Sequence, residues 1–276
     1  MNIFNQDISI AIAFLIVNII VITYTSFKNG VPTCSNYVMN VYLYLALFII
    51  IFYLFTRLHN NILFNKEKQN RLLKKEEFKK PNKYMFYYAI LLVILFLFLV
   101  FNPYILPLFF DPKKYPSSFI ISSFLYIAFI FLLSGTSIIY FKSEQYAKYI
   151  TEALGLVFII FITMSYVVYT FPLFFENSYS YVVPGLLVAL LASIIFSIIN
   201  YFTAKSKESL INTAKIIAYF GIVIFSIFIS YDTSRVFQNE KLCNMKRIPN
   251  YPKESFDFFL DVMNIFQKIL FIRGNE

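Results

Sequence analysis

Residues 255–272 read SFDFFLDVMNIFQKILFI, and the spacing of their few polar side chains sets the kind of fold to expect. At 100° per residue, Asp257, Asp261, Asn264 and Lys268 fall on one narrow stripe of a helix, with Gln267 somewhat off it. The other faces are apolar, carried by Phe256, Phe258, Phe259, Val262, Ile265 and Phe266 among others. In a bilayer a stripe of this kind has to turn inward, because one Asp at a helix centre costs about 2.5–3.5 kcal/mol to insert. The spacing predicts a helix packed among other helices, its stripe lining a wet cavity or meeting polar partners. A helix lying flat at the interface is the competing reading. Such helices show a broad polar face rich in Lys or Arg, whereas this stripe is thin and mainly acidic.

The rest of the chain reads as material for the same solvent. Hydrophobic residues make up 59% and charged residues 14% of the 276 residues, with a mean hydropathy of +0.67. A soluble domain runs near ~45–50% apolar and ~25% charged, so a soluble enzyme and a disordered binder are both excluded. With 6 Gly and 2 Cys, a Gly-rich fibre and a disulfide scaffold are excluded too.

A membrane-crossing helix needs about 20 mostly apolar residues, and the sequence offers apolar blocks at 8–27, 37–56, 84–110, 115–141, 153–175, 177–204, 216–231 and 255–272. The block 216–231 is short, but Lys215 at its edge can snorkel to the headgroups. None of the blocks alternates with a period of two, as membrane strands do. The expectation is an all-α integral membrane protein with about eight transmembrane helices. Block 8–27 has no basic start and no small-x-small cleavage site before Lys28, so it reads as a retained helix. Asn102-Pro103 and Pro107 close the third block, and Asp111-Pro112 with Pro116 marks a turn.

The net charge of +9 sits in the connections between blocks, which fits a bilayer with anionic headgroups as partner and gives no reason to invoke nucleic acid. Segment 57–83 holds nine Lys or Arg against three Glu and reads as a solvated basic loop; Leu72, Leu73 and Phe78 would serve a surface helix instead. Segment 232–253 is a second basic connection, with five Lys or Arg. An endomembrane and a viral envelope or internal membrane fit this multi-pass pattern equally.

Asp232, at the end of the seventh block, is the natural partner for the stripe. Two carboxylates near a low-dielectric interior cannot both ionise cheaply, so they share a proton. Deprotonated, the same pair offers hard oxygen ligands to a transient Ca²⁺. Asp232 and Asp261 are thus candidate pH-sensing, gating and metal-contacting residues, with Asp257, Asn264 and Lys268 as accessory polar groups.

At these residues the chain resembles the Bax inhibitor family, the transmembrane Bax-inhibitor-motif proteins. Tyr231-Asp232-Thr233, then Leu260-Asp261-Val262-Met263-Asn264-Ile265-Phe266 and Ile269-Leu270, are similar to its carboxy-terminal signature. Val41-Tyr42-Leu43-Tyr44-Leu45-Ala46-Leu47 resembles the start of its first helix, and Lys113-Lys114-Tyr115-Pro116 the entry to its third. Thr151-Glu152-Ala153-Leu154-Gly155 resembles the opening of its fourth, so the likeness runs over roughly residues 37–272.

The resemblance implies a seven-helix core (six helices around a central last one) within 37–276, and makes 1–36 an extra amino-terminal helix. It implies a slow, pH-sensitive Ca²⁺ leak controlled by Asp232 and Asp261, and a link to suppressing cell death. Some bacterial relatives place an Arg near the aspartates; here the matching region offers Lys113 and Lys114. In the orientation the family implies, the cytosolic side would hold eight Lys or Arg and the opposite side fourteen. The positive-inside rule argues for the reverse, and segment 57–83 alone decides that count.

Other chemistry finds little support. Asp232 would suit the Tyr-Asp motif of an intramembrane aspartyl protease, but Asp261 follows Phe259-Leu260 and no Gly-x-Gly-Asp exists. His59 is the single histidine and no zinc site follows; Cys34 and Cys243 read as free thiols, with a disulfide between them as the alternative on an oxidising side of the membrane. Glu152 serves either a helix N-terminus or an ion path. Gly135, Gly155, Gly185 and Gly221 read as helix-packing positions. No enzyme activity and no cofactor are expected, Ca²⁺ being the transported ion. A non-conducting scaffold that binds other membrane proteins is the alternative function.

Overall fold

The computed structural model describes residues 2–28, 31–73, 90–91, 93–95, 117–142, 149–204, 206–243 and 249–275. The described chain is helical almost throughout: α1 (Asn2–Ser26), α2 (Tyr37–Leu73), α3 (Ser117–Lys142), α4 (Ile150–Thr170), α5 (Pro172–Thr203), α6 (Lys207–Cys243) and α7 (Tyr251–Gly274). A two-residue antiparallel ribbon, β1 (Phe27–Lys28) with β2 (Val31–Pro32), joins α1 to α2. Five helices among the described residues are long and apolar enough to cross a membrane, with Ser123–Gly135 a shorter apolar stretch. The chain is an all-α, multi-pass membrane protein. Block 84–110 lies outside the described residues apart from helical turns at 90–91 and 93–95.

Three boundaries differ from the sequence reading, two of them because charge ends the lipid-compatible part of a helix without ending the helix. Helix α2 continues through Arg57 to Leu73, where a loop was expected from residue 57. Its residues 57–73 contain no Gly or Pro, and ten of the seventeen are Leu, Lys, Arg, Glu or Gln, all good helix formers. Helix α6 likewise runs through Asp232 and Arg235 to Cys243, so more than half of segment 232–253 belongs to it. At 1.5 Å per residue, 37 residues span about 55 Å, against about 30 Å of hydrocarbon. The third difference is at Phe171-Pro172, where α4 stops and α5 starts with Pro172 at its first position. Proline excludes its predecessor from the helical region, and Phe171 takes φ −125°, ψ 53°.

Two compact units divide the chain. The first comprises 1–142 and 248–256. In it, α2 packs on α1 and α3. Asn40, fully buried, accepts a hydrogen bond from Thr25 Oγ1 at 2.7 Å and donates to the Ser35 carbonyl at 3.0 Å. His59 Nδ1 lies 2.9 Å from the Phe55 carbonyl oxygen and 3.2 Å from Ser134 Oγ, fixing α2 against α3. Phe256 enters a ring cluster with Phe48, Tyr126 and Phe129 at centroid separations of 4.5–6.2 Å. Just before it, Ser255 Oγ donates to the Val41 carbonyl, the Tyr251 hydroxyl donates to the Thr33 carbonyl, and the Tyr37 hydroxyl donates to Glu254 Oε1 at 2.6 Å.

The second unit comprises 143–247 and 257–276. Here α6 packs on α4 and α5. Ser206 accepts from the Ser209 amide as N-cap of α6, and Asn200 Nδ2 donates to the Leu210 carbonyl across the α5–α6 turn. Helix α5 exposes Leu187, Val188, Leu191, Ile195 and Phe202, a lipid-facing surface by composition. Helix α7 is the reverse: Phe258, Phe259, Ile265 and Leu270 are fully buried.

Neither cysteine is a free thiol. Cys34 and Cys243 are both disulfide-bonded, which corrects the expectation of reduced side chains. Nothing in residue spacing encodes the redox state of a compartment. Gly155 and Gly185 are also corrected as packing positions, since a methyl group on either would meet open space.

The Tyr37–Glu254 bond joins α2 to the start of α7 in a buried setting. Tyr37→Phe keeps the ring and removes one charge-assisted hydrogen bond, worth about 1.5–3 kcal/mol. The thermal midpoint of the detergent-solubilised protein should fall clearly below wild type. An unchanged midpoint would show that Glu254 does not depend on this hydroxyl.

Candidate functional site

Within the second unit, α6 and α7 run antiparallel and set two matching stripes face to face. On α6 the stripe is Gly221, Phe225, Asp232 and Arg235, separated by four, seven and three residues, so all lie on one helix face. On α7 it is Lys268, Asn264, Asp261 and Asp257. Arg235 pairs with Asp257, Asp232 with Asp261, and Gly221 with Lys268.

Tyr231 aims this face. Its ring is buried between Phe175 at 5.3 Å and Tyr179 at 6.0 Å on α5, and its hydroxyl lies 2.7 Å from Ser178 Oγ. Thr233 approaches Ser165 of α4 at 3.4 Å. With Tyr231 held toward α5 and Thr233 toward α4, the residue between them is turned about 100° from each, toward α7.

Asp261 and Asp232 face each other within side-chain hydrogen-bonding reach, and Asp257 adds a third carboxylate close enough to act electrostatically on Asp261. Two carboxyl groups can hydrogen-bond to each other only with a proton between them. Asp261 is 8% exposed, and its Oδ2 is buried with no hydrogen-bond partner among the described residues. A buried oxygen left open in this way is a cost that ordinary packing avoids. It is also an acceptor that a proton, a water molecule or a cation can use.

The pair is the one the sequence put forward. The accessory residues divide. Asp257 lies 3.8 Å from Arg235 with both side chains about one-third exposed, so it is salt-bridged and hydrated. Asn264 donates to the Leu260 carbonyl of its own helix at 2.8 Å. Lys268 sits beside Gly221 with its ammonium 5.7 Å from the Phe225 ring centroid. Glu152, in the first turn of α4, pairs with Arg273 at 2.7 Å in an exposed position. Lys113 and Lys114 lie outside the described residues. Among the described residues, no three His, Cys, Asp or Glu come together as a metal site, so any Ca²⁺ contact rests on the two carboxylates.

Arg235 and Gly221 were not recognised from sequence as parts of this site. Arg235 was counted as loop charge because helix α6 was ended at residue 231. Its spacing of three from Asp232, against four between Asp257 and Asp261, is the signal that could have found it. The Arg235–Asp257 pair is partly solvated, so Arg235→Gln should cost less than about 1 kcal/mol of stability. A larger loss in denaturant titration of the solubilised protein would mean the guanidinium is bound into the site more deeply than its exposure indicates.

Among curated proteins, none matches the chain. The family model described as "Inhibitor of apoptosis-promoting Bax1" matches residues 34–276, taking in both aspartates and every helix after α1. The chain belongs to the Bax inhibitor family.

Proposed function

We propose that this protein is a pH-sensitive Ca²⁺ leak of channel type, gated by Asp232 and Asp261, with no enzymatic step and no resident cofactor. The observation that carries this reading is the hydrogen-bonded carboxyl pair with a buried, unpartnered oxygen. A shared proton keeps the pair together with a single negative charge spread over it. Removing it places two like charges side by side, which separates α6 from α7 locally and exposes oxygen ligands suited to a hard cation. The gate therefore opens as pH rises and closes as it falls. By lowering stored Ca²⁺, such a leak would connect this chain to the death-suppressing role that its family's description carries.

The test is Ca²⁺ entry into vesicles holding the purified full chain, across a pH series. Wild type should show flux that grows toward alkaline pH. Asp232→Asn and Asp261→Asn each remove the like-charge repulsion and should flatten that dependence. Asp257→Asn, at the hydrated Arg235 pair, should change it least. A profile altered most by Asp257→Asn would mean the wrong carboxylates were chosen. Flux equal to that of empty vesicles at every pH would favour a non-conducting scaffold that binds other membrane proteins.

A further inference from the structure

We propose that Lys268 is a tethered cation that occupies the α6–α7 seam beyond the aspartate pair and blocks it to Ca²⁺, with Gly221 providing the slot. The proposal rests on the leak reading and adds the residue that keeps the leak slow.

The slot is the first observation. A methyl group on Gly221 would lie 2.4 Å from Lys268 Cε and 2.7 Å from Nζ. The end of the lysine therefore fills space that any other residue at 221 would take. The second is the ammonium's environment: it stands 5.7 Å from the Phe225 ring centroid, and among the described residues it forms no ion pair. An aromatic face attracts a cation without pairing it to an anion, so a protonated lysine held there repels other cations. The third is depth. Gly221 and Phe225 lie within the apolar part of α6, while Asp232 lies where that part ends. A lysine there is costly and calls for a function. The fourth is register. Lys268 follows Asp261 by seven residues, about 10 Å along the same stripe of α7. An ion that passed the carboxylates and stayed on this seam would meet the ammonium next.

Ca²⁺ entry into vesicles containing the full chain, read with an encapsulated fluorescent indicator at one buffered pH near neutrality, tests this. Lys268→Ala should raise the flux at least tenfold over wild type. Truncation at Cβ removes a propylammonium fragment, so n-propylammonium on both sides should return the flux toward wild type, and n-propanol should not. A purely structural lysine would give no such dependence on charge. Gly221→Ala keeps the lysine but displaces it from the slot, and it too should raise flux, which covers the case of a Lys268→Ala protein that does not fold.

Lys268→Ala or Gly221→Ala flux no higher than a conducting wild type would overturn the block and leave the leak reading standing. Equal suppression by the amine and the alcohol would overturn the role of charge. Flux at the empty-vesicle level in all three proteins would overturn both readings.

Discussion

A hydrogen bond between two carboxyl groups inside an apolar bundle sets conditions that the surrounding helices have to meet. It must retain a proton, and it tolerates little error in geometry. One residue of slip along either helix would turn its carboxyl about 100° away. The Asp232–Asp261 contact therefore fixes the register of α6 against α7, and that register brings Arg235 to Asp257 and Lys268 to Gly221. The two helices read as one antiparallel seam with a salt bridge, a facing aspartate pair and a slotted lysine in sequence along it.

The seam is held from outside by apolar and aromatic packing, since its own polar groups contribute little net stability. Tyr231 anchors α6 on α5 through Phe175 and Ser178. Phe258 meets Phe161 of α4 edge-on at 5.6 Å, and Arg273 reaches Glu152 at the other end of the same helix pair. The last of these is exposed and worth at most about 1 kcal/mol. The ring contacts do more to fix position, because edge-to-face geometry restricts both sliding and rotation. Asp261 can be left with an open oxygen because the helix carrying it is secured on its other faces by Phe258, Phe259, Ile265 and Leu270.

How much of this was legible in sequence follows from which physical effect wrote each part. The stripe Asp257–Asp261–Asn264–Lys268 was legible because helical periodicity and the cost of charge in lipid act on it together. Asp232 was legible as a charge ending an apolar block. The continuation of α6 past it was not, because hydropathy reports the solvent around a helix while Gly, Pro and capping residues report its ends. The same confusion turned residues 57–73, nearly two-thirds of segment 57–83, into a loop. Gly221 was seen as a small residue among others; only the approach of Lys268 separates it from Gly155 and Gly185, which face open space. The oxidation of Cys34 and Cys243 was illegible because it depends on the surroundings as well as the chain. Lys113 and Lys114 lie outside the described residues, as does most of block 84–110, so the part of the sequence reading that rests on them gains nothing from the structure.

Depth along α6 gives the seam a direction. Residues 216–231 carry no charge, and residues 232–243 carry Asp232, Arg235, Glu240 and Lys241. The apolar stretch covers about 24 Å, less than the hydrocarbon thickness of about 30 Å, so Asp232 stands close to one boundary rather than at the centre. Arg235 and Asp257 lie one turn farther toward water, where their partial exposure keeps the pair hydrated. Lys268 lies on the opposite side of the aspartates, against the apolar half of α6. The carboxyl pair thus has water-accessible charge on one side and a cation held by an aromatic ring on the other. A proton needs to travel only a turn or two of helix to reach it, whereas a cation going farther must pass a fixed positive charge in a low dielectric, where repulsion is least screened. Under the proposed leak, fast protonation and slow ion passage would both follow from where three charges sit on two helices.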